Sequence, residues 1–223
     1  MEQNNKDEIA LIVGGGPGIS ASCARLFSAQ GMKIAIAARN PDKPVLTELV
    51  KDPNIRCYQC DAVDPAAVAK LFDSVMEDLG VPKLVIHNID GRTPEIFRKE
   101  ITDADPALVL QTIQNSAFSA FLVGQQSAKA MLSQEIVGDG HRGTVIYSNA
   151  SAALKGYPKS AAFAISCHGK AGLTQSMARE LMPKGIHVAH ILIDGAVDAP
   201  DTLGKMLGPE KFQAFREEKG LEH

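Results

Sequence analysis

The chain lacks any apolar run of the roughly 18 residues needed to cross a bilayer, so no membrane span is expected. It has little net charge, −3 at pH 7. Without a cationic excess, neither nucleic acid nor an anionic membrane surface is expected as a partner. Cysteine is sparse, present only at Cys23, Cys57, Cys60 and Cys167. Cys57 and Cys60 have CxxC spacing, but they sit in a strand-like stretch with no second Cys or His pair nearby. Reduced thiols are therefore expected rather than a metal or redox centre, and no metal site is predicted. The opening "MEQNNKDE" has no apolar leader core, and a cytoplasmic location is expected. No linker, repeat or low-complexity tract interrupts the chain. One domain is expected over residues 1–220, with 221–223 read as a tag remnant and set aside.

What is present is an alternation. The 223 residues are 45% hydrophobic and 22% charged, enough for one α/β domain with a full core. "EIALIVGG", "MKIAIAAR", "NIRCYQCD", "KLVIHN", "GTVIYSNA" and "IHVAHILI" read as six buried strands. Between them lie helix-periodic stretches, among them residues 65–79 with Asp64 as N-cap and Pro65 in the first turn. Two long helices are expected over residues 105–132 and 160–182. This order predicts a Rossmann-like, doubly wound parallel sheet with helices on both faces. After "IDGAVDAP" only helical sequence follows, so the last strand is expected to be missing.

The turn "VGGGPGIS" stands between the first strand and the first helix. Glycines there allow a tight turn and close approach of a pyrophosphate, and the helix N-terminus offers free N–H groups. Gly14, Gly16, Pro17, Gly18 and Ile19 are the expected cofactor contacts. Pro17 removes one N–H donor. At the end of the second strand Ala38, Arg39 and Asn40 stand where an acidic residue would select a free 2′-hydroxyl. A guanidinium suits a 2′-phosphate, so NADP(H) is expected over NAD(H), with a merely solvated arginine as the alternative.

From Ile9 to about Pro200 the chain resembles the short-chain dehydrogenase/reductase family. The turn is similar to that family's TGxxxGxG. "CDAVDPAAV", "HNID", "QNSAFSAFLVGQQSAKAML" and "GLTQSMARELMPKGIHVAHILIDGAV" resemble its later segments. The resemblance implies adenine contacts at Asp61 and Ala62, further cofactor contacts at Asn88 and Ile89, and nicotinamide-side contacts at Gly195 and Val197. Asn115 matches the family's structural and catalytic asparagine. A homodimer through the fourth and fifth helices is also implied.

The same register places Ala150, Phe163 and Cys167 at the family's serine, tyrosine and lysine. These three would line a substrate pocket without a proton donor. Loss of acid–base help typically costs about 10² to 10⁴ in rate. Ser148 and Ser151, with Asn115 and water, are the candidate substitutes. Lys170 reads as exposed or snorkelling, the alternative being an ammonium that reaches back toward the ribose. Tyr157 reads as a surface or lid residue. Substrate choice is expected from residues 92–99 and 199–215. Two functions fit: an NADP(H)-dependent oxidoreductase acting on a small carbonyl or alcohol with an atypical site, or a catalytically inactive NADP(H)-binding sensor or partner protein.

Overall fold

The computed structural model describes residues 8–136, 140–195, 197, 204 and 207–218. Six parallel strands form one sheet in the order β3-β2-β1-β4-β5-β6. They are β1 (Ile9–Val13), β2 (Lys33–Ala38), β3 (Ile55–Gln59), β4 (Leu84–His87), β5 (Gly143–Ala150) and β6 (Ile186–Ile193). The helices are α1 (Ile19–Ala29), α2 (Pro44–Leu49), α3 (Pro65–Asp78), α4 (Pro106–Ile113), α5 (Ser119–Leu132), α6 (Ala161–Leu181) and α7 (Pro209–Glu218). The chain winds outward from β1 to β3, then restarts beside β1 with β4. The reversal leaves a crevice between the ends of β1 and β4, where ligands bind in open α/β sheets.

Strands β1 to β5 feed two cores because successive side chains point to opposite faces. Leu11 and Val13 join Val68, Phe72, Val123 and Tyr147 under α3, α5 and the end of α6. Ala10 and Ile12 join Ala21, Ala24, Ile36 and Leu46 under α1 and α2. Burial on both faces is why β1 and β2 read as unbroken apolar runs. Asp64 caps α3 as expected, accepting from the Ala66 amide, and Pro65 occupies the first turn.

The structure departs from the sequence expectation in the long helix. The predicted helix over 105–132 is continuous, but a widened π segment at Gln114–Phe118 separates α4 from α5. By length and composition residues 106–132 would suit a bilayer. The helix instead buries Ala120, Val123, Ser127 and Met131 against the sheet. Cys57 packs on the α1–α2 side and Cys60 on the opposite side, so the CxxC spacing does not converge. Among the described residues no cluster could hold a metal. α7 supplies the expected C-terminal helix, and no seventh strand appears among the described residues. Residues 198–203 and 219–223 lie outside the described residues, as do parts of the expected 199–215 specificity loop.

Candidate functional site

The β1–α1 turn is built around Gly14, whose φ of +104° favours glycine. A Cβ there would collide with the Asn88 carbonyl at the end of β4. The amides of Gly14 and Gly15 both donate to the Ala37 carbonyl at 3.0 and 2.8 Å, pinning the turn to β2. A Cβ on Gly16, by contrast, would meet nothing within 4 Å, so its face is open to a ligand. Gly18 is the N-cap of α1 and supplies no side-chain cap. The Ala21 amide donates to the Gly16 carbonyl at 3.2 Å, and the two helical positions before it leave the helix N-terminus open to an anion.

The floor of the crevice is a chain of hydrogen bonds. Ser148 Oγ donates to Asn88 Oδ1 at 2.6 Å. Asn88 Nδ2 donates to Ser20 Oγ at 2.8 Å, and Ser20 Oγ donates to the Gly14 carbonyl at 2.7 Å. This chain ties β5, β4, α1 and the turn together. Ser148 is therefore engaged in holding Asn88.

Ala38 is buried at the end of β2, with Arg39 and Asn40 exposed beyond it. Asn40 Oδ1 accepts from the Asp42 amide, fixing the next turn. Sequence reading missed Lys43, whose Nζ donates to the Gly15 carbonyl at 2.9 Å. Partial burial, and then the nearby Arg39 charge, lower its pKa. Two cations therefore flank the turn. Asp61 is exposed, its Oδ1 accepting from the Val63 amide, and Ala62 is buried beside it. Gly195 and Val197 lie exposed beyond β6. The glycine turn and the uncapped helix fit the pyrophosphate of a nicotinamide dinucleotide.

The other end of the crevice is lined by side chains. Ala150, Phe163 and Cys167 come together with Ala152, Ala153 and Ala171 in a small apolar cluster. Burial raises the Cys167 thiol's pKa, although Lys170 opposes the shift. The Cys167 carbonyl accepts from Asn149 Nδ2 at 3.0 Å, locking α6 to β5. The guanidinium of Arg92 lies over the Phe163 ring, 3.6 Å from its centroid. Arg92 also grips Asp90 through Nε and Nη2 at 2.7 and 2.6 Å. Crowding alone would raise the Asp90 carboxyl's pKa, but the Arg92 bonds and charge hold it below its usual value.

Lys170 is neither exposed nor snorkelling. It is 3% exposed, and its Nζ donates to the Ile89 and Ser148 carbonyls at 3.0 Å each. Burial lowers its pKa. The ammonium stands behind the crevice wall, bridging the ends of β4 and β5. Helical side chains lean toward the N-terminus, which carries it there.

Asn115 sits in the π segment, a feature that often marks functional sites. Its Nδ2 donates to the Gly91 carbonyl at 3.2 Å. Ser119 Oγ donates to the Asn115 carbonyl at 2.6 Å and lies 2.8 Å from His87 Nε2. With its one hydrogen so used, Ser119 accepts from His87, which places the ring proton on Nε2. Full burial holds the His87 pKa far below its usual value, so the ring is neutral.

A cavity of about 320 Å³ opens beside Phe163. Ser151 and Tyr157 both line it, and Tyr157 Oη donates to Ser151 Oγ at 3.0 Å. Tyr157 is thus a cavity residue, 40% exposed, carrying a hydroxyl into the same cavity that Phe163 lines. Neither Ser148 nor Asn115 lines this cavity. A lone tyrosine in the loop just after Ser151 was the available sequence signal.

Residues 14–220 match the family described as enoyl-(acyl carrier protein) reductase. Secoisolariciresinol dehydrogenase of Forsythia intermedia is 27% identical over 217 residues, covering 97% of this chain and 73% of that protein. The 3-oxoacyl-(acyl-carrier-protein) reductase MabA of Mycobacterium tuberculosis is 25% identical over 192 residues, covering 86% and 70%. Among solved structures, a short-chain dehydrogenase from Rhodopseudomonas palustris superposes with a TM-score of 0.74. It is 28% identical and covers 85% of each chain.

Proposed function

The chain belongs to the short-chain dehydrogenase/reductase family, whose members bind nicotinamide cofactors, and from that premise we propose an NADP(H)-dependent oxidoreductase acting on a small carbonyl or alcohol. Support for NADP(H) over NAD(H) comes from Arg39 and Lys43, two mutually repelling cations beside the glycine turn. A 2′-phosphate between them would relieve that repulsion through charge-assisted hydrogen bonds. The N-terminal amides of α1 would hold the pyrophosphate.

The bound nicotinamide supplies hydride chemistry; the proton is the chain's task. The observation that carries the catalytic reading is the Tyr157–Ser151 pair inside the cavity. Ser151 orients the phenol and can donate to the substrate carbonyl oxygen. As the alcohol forms, Ser151 gives its proton to that oxygen and takes the Tyr157 proton in turn, and Tyr157 regains one from water at its exposed edge. Asn115 and Ser148 hold the walls from behind. Tyr157→Phe should lower kcat by about 10²-fold or more while leaving NADPH affinity unchanged. Full activity in that variant would remove Tyr157 from the mechanism.

Fluorescence titration tests the cofactor, with NADPH expected to bind at least about tenfold tighter than NADH. Equal binding would overturn the NADP(H) reading. One observation favours the second reading, an inactive nucleotide-binding protein. Phe163 and Cys167, which the family resemblance aligns with its tyrosine and lysine, pack in an apolar cluster, and Arg92 covers the Phe163 ring. Tight NADPH binding with no turnover across carbonyl substrates would select it.

A homodimer through α4, α5 and α6 is part of the same proposal. Leu110, Phe118, Phe121 and Ile165 are exposed there, and the two phenylalanine rings stack 6.4 Å apart. Sedimentation of a monomer would refute it. A cytoplasmic setting is also proposed, supported by four free cysteines.

A further inference from the structure

The cavity beside Phe163 has an unusual lining. Its body is apolar, with Ile96, Phe97, Ala104 and Phe163 among its walls. Its charged lining residues are Arg92, Arg98, Lys99 and Lys159, with no acidic side chain among them. Arg92 is matched by Asp90, and Lys159 by Glu100 at 2.8 Å. Arg98 and Lys99 have no acidic partner among the described residues. Two unmatched cations therefore stand at the mouth of a small, largely apolar chamber that also contains the Ser151–Tyr157 hydroxyls.

The backbone adds an independent mark. Among the described residues, the only two non-glycine positions with positive φ are Arg98 at 55° and Lys159 at 60°. Both line this cavity. Left-handed backbone at a long-chain residue is costly and tends to persist where function retains it.

We propose that the substrate is an oxyanion: a small carbonyl compound whose carboxylate or phosphate is held by Arg98 and Lys99 while its carbonyl lies at the Ser151–Tyr157 pair. The volume suits a compact molecule with a short apolar body and one charged end. A guanidinium beside an ammonium recognises either kind of oxyanion. The inference rests on the oxidoreductase reading for the carbonyl end, but the anion end is testable without it.

Calorimetry on the purified chain without cofactor, using hexanoate, hexyl phosphate and 1-hexanol, separates the cases. At least one anion should saturate, and 1-hexanol should bind at least about tenfold more weakly. Preference for hexanoate identifies a carboxylate site; preference for hexyl phosphate identifies a phosphate site. The Arg98→Gln/Lys99→Gln variant should lose the preference. Lys70→Gln/Lys129→Gln, with the same charge change elsewhere, should keep it. Both affected pairs are exposed, so melting temperatures should match wild type and exclude misfolding. Equal binding of the alcohol, no saturation by any probe, or unchanged affinity in Arg98→Gln/Lys99→Gln would overturn the proposal. If the anion site behaves as stated but no oxo acid or phosphorylated carbonyl compound oxidises NADPH, the oxidoreductase reading falls and the anion site stands.

Discussion

The two ends of the crevice treat the same architecture differently. At the glycine-turn end, the groups on offer are backbone amides, a helix terminus and two flanking cations, and Gly14 has the positive φ that favours glycine. At the reaction end, the groups that matter are side chains, and three of them are Ala150, Phe163 and Cys167 packed in an apolar cluster. Around them lie the Asp90–Arg92 pair, the Lys170 bridge and the Tyr157–Ser151 hydroxyls. Binding through backbone tolerates few substitutions because geometry is the function. Chemistry through side chains can be lost or relocated without disturbing the sheet.

Substitution at the glycine turn should break the comparison most sharply. Gly14→Ala would force a Cβ into the Asn88 carbonyl at a positive φ. A loss of about 3 kcal/mol or more is expected, together with NADPH binding. A folded Gly14→Ala protein with wild-type affinity would show that side chains govern both ends.

Next in size is alkaline pH. Burial, followed by the Asp61 and Asp64 charges, raises the Cys60 thiol from 9.0 to about 11. A raised folded pKa gives stability that is full below pH 9 and lost as pH rises toward 11. About 2 kcal/mol should disappear over that window. Cys60→Ala should lose correspondingly less in urea melts at pH 9 and pH 11. Parallel losses in both proteins would remove Cys60 from the account.

Lys170→Met keeps the stem but leaves the Ile89 and Ser148 carbonyls unpaired at the crevice wall. We expect about 2 kcal/mol of destabilisation, measured by denaturant midpoint. A neutral result would mean the ammonium's burial cost cancels its bonds. The smallest effect is at the exposed rim. Arg39→Ala should weaken NADPH binding by roughly tenfold and leave NADH binding unchanged, because only the charge-assisted contact is removed.

The strands and the crevice were legible in sequence because β1 and β2 are buried on both faces and β1 ends at glycines. Arg39 was legible as a residue type at a known strand end. Lys43 was not, because its reach back to Gly15 depends on how α2 begins. Lys170 escaped because its acceptors come from two strand ends far away in the chain. Residues 105–132 hold no glycine or proline near Gln114–Phe118 to mark a break, so the π segment left no trace in the sequence. The pairing of Tyr157 with Ser151 depends on a loop conformation that composition does not encode.

The widened turn at Gln114–Phe118 acts as a phase shifter. At 3.6 residues per turn, one surplus residue rotates everything downstream by about 100° relative to an unbroken rod. That rotation lets α5 lay Val123 and Met131 on the sheet while Asn115 faces the Gly91 loop. Excising a single residue there would straighten the rod and force it to choose between seating the core and presenting the amide.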